Sequence, residues 1–350
     1  MWLLLGWLAV GLVVLGAGAD LFVHNVRREP IRRLGLGPED VLSVNPSIVY
    51  ATASGYHERS PLARAPAIDD SIQAATGLAA LNAGPDGAPR FVPSVVADKT
   101  AGLALAGAAL AALVRRLRTG RGGVLDVPMY DTLAGFVLAE HLQGHTYVPA
   151  DGGAGYRRVT PEGRRLYRAR DGWLTMTPYT RPQWKAFFDA VGDPAMADDP
   201  RVVDPVERNR NIQWLYARIG EAAATRGVDD WLALCREHGI PAYRAVTLDE
   251  VATDPALEAS GAIARVEHPP EGTLRMLASP VVIGAAGFMA TVELFADKLP
   301  WLDSLWDGLQ TFVRIPAGAA LAAGVFGDSG AGGAIAAALL GRAGTAATHF

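Results

Sequence analysis

The chain has 350 residues, half of them apolar and 19% charged, with a formal net charge of −4. That length allows two or three domains with sizeable cores, and the slightly acidic balance gives no footprint for nucleic acid. A single cysteine, Cys235, excludes an internal disulfide and argues against a cysteine-based metal site; within WLALCREHGIP it reads as an inert, partly buried thiol on a helix.

Residues 1–18 carry no charge. Their length suits an apolar N-terminal helix that either enters a membrane or is buried in protein. Arg27, Arg28, Arg32 and Arg33 follow and would hold the next segment in the cytoplasm if the helix inserted. ADLFVHNV then reads as a strand. EPIRRLGLGPEDVLSVNP reads as two short helices, the second opened by Pro38, Glu39 and Asp40. SIVYATASGY is a β-rich run ending in a glycine turn. Asp69 or Asp70 is placed to cap a helix running to about Ala80.

Phe91 to Ala97 is a strand-like apolar run ending at Asp98. A long Ala/Leu helix is predicted from Lys99 to about Arg118, closing on TGRGG, and Val124 to Pro128 is a further strand. The alternation of strands and helices indicates an α/β domain. After Asp131 a helix covers LAGFVLAEHLQGH, and a glycine loop, DGGAGY, spans 151–156. RRLYRARDGWLTMTPY reads as a hairpin turning at Asp171-Gly172. PQWKAFFDAVG is an amphipathic helix with Trp184, Phe187, Phe188 and Val191 on one face. Residues 200–245 are mostly helical, and 262–281 form a strand pair around Glu271-Gly272. From 282 onward the chain is again apolar and rich in small residues, interrupted by Glu293 and Asp328.

Asp98 is the leading candidate for chemistry. At the start of a helix a carboxylate is a good cap; held there as an anion and facing a cavity, it is also a nucleophile toward an acyl carbon. The loop containing Gly152, Gly153 and Gly155 suits a lid, an anion nest or a plain connection. Glu140, His141 and His145 put two imidazoles at i and i+4, but the order is not HExxH and no third ligand suggests itself, so no metal is expected.

The segments ADLFVHNVRREPIRRLGLGPEDVLSVNPSIVYATASGY, IDDSIQAATGL, VVADKTAGLALAGAALAALVRRLRTGRGGVLDVPMYD, RRLYRARDGWLTMTPY and DPALEASG, closed by LASPV, occur in an order that resembles the class III CoA-transferase family, the carnitine-dehydratase and bile-acid-inducible type. The resemblance covers about 19–281. It implies an α/β fold of family III type: a partial Rossmann-like large domain (19–150) and a smaller α+β domain (151–281), with apolar helical ends at 1–18 and 282–350. It implies CoA transfer between carboxylic acids through an aspartyl-CoA thioester, with Asp98 as nucleophile, Asn25, Arg33 and Asp69 at the CoA, and Gly152, Gly153 and Gly155 in a covering loop. No tightly bound cofactor is implied: the CoA thioester is substrate, beside acyl and carboxylic acid partners. An interlocked homodimer in the cytoplasm is implied, with membrane association offered by both ends and no nucleic acid partner.

A racemase branch of the family carries histidine immediately before the aspartate matching Asp69; here that residue is Ile68, so a usual partner for α-proton exchange is absent. Family members begin with a further βαβ portion holding the CoA nucleotide. In its place the apolar N-terminus resembles the first helix of a sodium/calcium-exchanger-type membrane protein, and the tail resembles a family of small bacterial membrane proteins. The alternative reading is therefore a catalytically impaired, membrane-associated fusion or remnant.

Overall fold

The computed structural model describes residues 19–156, 158–160, 164–268 and 272–277. The expected apolar ends, 1–18 and 282–350, lie outside the described residues, as do residues 278–281 of LASPV. In chain order the elements are β1 (Leu21–His24), α1 (Arg28–Arg33), α2 (Pro38–Val44), β2 (Val49–Ser54), α3 (Asp69–Ala75), α4 (Leu78–Leu81), α5 (Val96–Thr119) and β3 (Gly123–Pro128). There follow α6 (Met129–His141), β4 (Tyr167–Arg168), β5 (Trp173–Met176), α7 (Arg181–Ala190), α8 (Pro200–Val203), α9 (Pro205–Arg210), α10 (Ile212–Ala223) and α11 (Val228–Glu237). The last are β6 (Ala242–Arg244), α12 (Leu248–Ala252), α13 (Pro255–Ala259), β7 (Ile263–His268) and β8 (Gly272–Leu277).

The chain divides into two compact units. Among the described residues the first holds 19–77, 91–136 and 258–277, and the second 78–90 and 137–257. The first is built on a parallel sheet of order β1-β2-β3. Successive side chains in a strand face opposite sides, and both sides are covered, as parallel sheets require. On one side Ile48 and Tyr50 join Phe22 and pack under Ile31, Leu36 and Val41 from the α1–α2 segment. On the other, Ala51, Ala53 and Val127 meet Leu105 of α5, with Leu21, Val23, Ala104 and Ala108 alongside. Small residues on both surfaces let helix and sheet approach closely.

The glycines after α5 have physical reasons. Gly120 ends the helix with a left-handed φ of 69°, its N–H bonded to the Arg116 carbonyl at 2.7 Å. Gly122 runs so close to β2 that a Cβ there would lie 2.0 Å from the Ile48 carbonyl oxygen. Arg116 fixes the same end of the helix through Asp20 at 2.7 Å and the Ser47 carbonyl at 2.5 Å.

The structure differs from expectation at the front of α5. The helix begins at Val96, and residues 91–95 form no strand. The expected single helix to Ala80 is two, α3 and α4, separated at Gly77, whose φ of 80° breaks the helix.

The second unit carries the antiparallel sheet β4-β5-β6 and its own core. Helix α7 opens with a capping box: the Thr180 hydroxyl takes the Gln183 N–H at 3.4 Å, and the Gln183 side chain takes the Thr180 N–H at 3.0 Å. Its inward face presents Trp184, Phe187 and Phe188, as the periodicity predicts, against Leu174, Met176, Leu215, Ile219 and Trp231. Each such buried side chain contributes roughly 1.5–3 kcal/mol of transfer free energy. The predicted hairpin is the β4–β5 pair, and the predicted final strand pair is β7–β8, in the first unit.

Candidate active site

Asp98 lies in the first turn of α5 and is partly buried. It is not the cap. The N-cap residue is Val95, whose side chain accepts no hydrogen bond. The opening N–H groups are satisfied from elsewhere in the chain: Asp69 Oδ1 accepts from the Ala97 N–H at 2.7 Å and from the Asp98 N–H at 3.3 Å. Asp69 is the first residue of α3 and is 8% exposed.

Its other oxygen accepts from Gln73 Nε2 at 2.6 Å, one turn further along α3. Gln73 is 1% exposed and reaches the segment leading into α5. Its Oε1 accepts the Val92 N–H at 2.9 Å, and its Nε2 donates to the Ser94 carbonyl at 3.2 Å. Two buried side chains thus hold residues 92–98 in place. Such satisfied buried networks specify one arrangement of the backbone they bind. Asp69 and Asp98 are the two sequence-predicted site residues that the structure brings together by a hydrogen bond.

Asn25 directly follows β1 at its carboxyl end, and Arg33 is an exposed residue in the last turn of α1. The carboxyl ends of parallel strands are where open α/β sheets bind ligands. Gly152, Gly153 and Gly155 belong to the second unit. There the loop is tied to the end of α6: the Gly155 N–H bonds the His141 carbonyl at 2.8 Å, and the Tyr156 N–H bonds His141 Nδ1 at 3.0 Å. Gly144 passes so close that a Cβ on it would fall 2.5 Å from Gly152 backbone atoms. His141, weighed above as a metal ligand, thus spends Nδ1 on the loop. Among the described residues no group of three His, Cys, Asp or Glu side chains could hold a metal ion.

A second polar group escaped the sequence reading. His24, Thr52 and Asp126 stand in one row across β1, β2 and β3 at the carboxyl end of the sheet. Arg28 Nη2 donates to Asp126 Oδ2 at 2.6 Å and to Ser54 Oγ at 3.2 Å, and Arg28 Nη1 donates to the Tyr56 carbonyl at 3.1 Å. His24 Nε2 lies 2.7 Å from Tyr50 Oη, whose own hydrogen goes to the Leu36 carbonyl at 2.9 Å. Tyr50 has one hydrogen to give, so His24 carries its proton on Nε2. Burial pushes the His24 imidazole down to about 4, against weaker opposing effects of the Val26 backbone and the Asp126 charge. The available signal was a lone carboxylate, Asp126, inside the apolar strand run GGVLDVP.

With this geometry in hand, comparison with known proteins is informative. A family model described as CoA-transferase family III matches residues 12–290, most of the chain. The chain belongs to CoA-transferase family III. A model of a domain of unknown function (DUF4126) matches residues 256–350, overlapping the first. A "probable fatty acyl-CoA transferase" of Mycobacterium tuberculosis is 29% identical over 251 residues, covering 68% of this chain and 63% of its own length. An acetyl-CoA:oxalate CoA-transferase of Acetobacter aceti is 28% identical over 266 residues, covering 76% and 67%. The chain therefore spans about two thirds of the curated relatives it matches. A crystal structure of the M. tuberculosis protein superimposes with a TM-score of 0.67 at 26% identity, covering 79% of this chain and 73% of that one. A CAIB/BAIF family protein from Brucella suis gives 0.61 at 25%, covering 78% and 71%. This family III chain shares their α/β fold.

Proposed function

We propose that this family III chain moves coenzyme A between carboxylic acids, with Asp98 as the nucleophile. The observation that carries the reading is the placement of Asp98: a carboxylate in the first turn of a long helix, its own N–H bound by a buried side chain. Relatives bear the names of fatty acyl, oxalate and succinate–glutarate transferases, which supports CoA transfer to carboxylates as the class.

The steps balance without any group beyond the two substrates. The Asp98 carboxylate attacks the acyl-CoA carbonyl, and CoA leaves as thiolate, giving a mixed anhydride. The thiolate attacks the Asp98 carbonyl, releases the donor carboxylate and leaves an aspartyl-CoA thioester. An acceptor carboxylate then attacks that thioester, and the freed thiolate takes the new acyl group and restores Asp98. Splitting the exchange into acyl transfers to and from one side chain is covalent catalysis. Asn25 at the end of β1 and the exposed Arg33 are the groups assigned to CoA, Arg33 suiting a phosphate. Gly152, Gly153 and Gly155 form the covering loop.

The active form is a homodimer. Leu103, Leu110, Val114 and Leu117 lie on one face of α5 and are 45–79% exposed, an apolar stripe that assembly would cover. By length and composition α5 is also the one helix among the described residues apolar enough to cross a bilayer, but its opposite face is packed on the sheet. We assign the enzyme to the cytoplasm, with 1–18 and 282–350 as the segments that would attach it to a membrane.

The test is transfer itself. The purified chain, given an acyl-CoA donor and a second carboxylate, is expected to form the second acyl-CoA, and Asp98→Ala to form none. Equal product from both would overturn the assignment. The second reading is a non-catalytic, membrane-associated fusion, favoured by the DUF4126 match over 256–350. Failure to bind CoA, with partition into vesicles, would select it.

A further inference from the structure

The residue the site depends on beyond its nucleophile is Asp69. Helix α5 begins with a valine at its N-cap, which offers no acceptor, and the first N–H groups of a helix are unsatisfied unless something outside supplies one. Asp98 sits in that first turn, where a carboxylate is commonly recruited to bond the free N–H groups of its own helix. Asp69 supplies an acceptor for that turn from another helix. One of its oxygens takes the Ala97 and Asp98 N–H groups, and the other is held by Gln73, which also grips Val92 and Ser94. Both oxygens of a carboxylate that is 8% exposed are therefore spent inside the protein, on the peptide that carries Asp98.

We propose that Asp69 is a positioning residue for Asp98: a cap supplied from α3 that fixes the nucleophile's main chain and stays in place whatever the Asp98 side chain carries. This rests on the reading of Asp98 as nucleophile. In that cycle Asp98 alternates between an ionised carboxylate and acylated forms without charge. The bonds from Asp69 go to the main-chain N–H groups of Ala97 and Asp98, so acylation of the Asp98 side chain leaves them in place. The role differs from holding CoA, because both oxygens are already engaged within the protein.

The test compares Asp69→Asn, Asp69→Glu and Asp69→Ala in the full chain. Asparagine keeps an acceptor oxygen for the Ala97 and Asp98 N–H groups but sets its N–H2 against the Gln73 N–H2 and loses that bond; glutamate keeps the charge but moves it by one methylene; alanine removes both. Positioning predicts a fall in kcat ordered by what is lost, less than about tenfold for Asn and more than about tenfold for Glu and Ala, with KM for acyl-CoA changed less than about threefold. If the alanine variant does not fold, the Asn and Glu pair still decides. A raised KM with kcat unchanged in Asn, Glu and Ala alike would show a CoA-binding role and overturn the proposal, as would full kcat in the Glu variant. A parent chain that transfers no CoA overturns the reading beneath it and this inference together. An active parent with an indifferent Asp69 overturns this inference alone.

Discussion

His24 offers a prediction whose size follows from the structure. The imidazole is packed at the carboxyl end of β1, donates from Nε2 to Tyr50, and is pushed down to about 4 by burial. In the unfolded chain it titrates near the ordinary imidazole value of 6.5. Its folded pKa is the lower one, so between these values the unfolded chain binds a proton that the folded chain refuses. Stability is complete above about pH 6.5 and falls as pH drops toward 4. A gap of about 2.5 pH units corresponds to about 3 kcal/mol at 1.36 kcal/mol per unit, an upper figure for a group that is partly rather than fully buried. His24→Gln keeps an N–H donor for Tyr50 and removes the titration. Urea unfolding followed by circular dichroism at pH 7 and pH 4 should show the parent losing up to about 3 kcal/mol more than the variant. Parallel losses would refute the placement of a neutral, buried imidazole at this position.

Arg28→Met should cost about 2–3 kcal/mol, because it leaves the Asp126 carboxylate half-enclosed with its cation gone; adding Asp126→Asn should recover most of it in the same denaturation assay. Trp231 is fully buried and its indole N–H bonds the Ala223 carbonyl at 3.1 Å, so Trp231→Ala should cost about 3–5 kcal/mol, read as a lowered urea midpoint. Cys235 is buried, and burial pushes its thiol up to about 11; at pH 8 it should resist a maleimide in the native chain and react within minutes in guanidinium.

Much of the framework could be read from the sequence because the signals are local. The strands around Leu21–His24, Val49–Ser54 and Gly123–Pro128 are short apolar runs bounded by turns, and α7 shows its buried face in the spacing of Trp184, Phe187 and Phe188. The start of α5 was not legible. The acceptor for its first N–H groups lies 28 residues before Ala97, on α3, and no window around Asp98 contains it. The same distance hid the His24–Thr52–Asp126 row, which exists only through strand register. Asp69 was expected at the CoA because the family pattern groups it with the site; the structure shows which backbone groups its oxygens hold. The resemblance of the middle segment and the family match agree on the chain's membership.

The central claim is that Asp98 becomes covalently acylated. The direct measurement is to incubate the chain with an acyl-CoA, quench with hydroxylamine, digest it and weigh the peptide that carries residue 98. The account predicts a hydroxamate on Asp98, formed only when acyl-CoA is present and absent from Asp98→Asn. An unmodified peptide from a chain that still transfers CoA would contradict it.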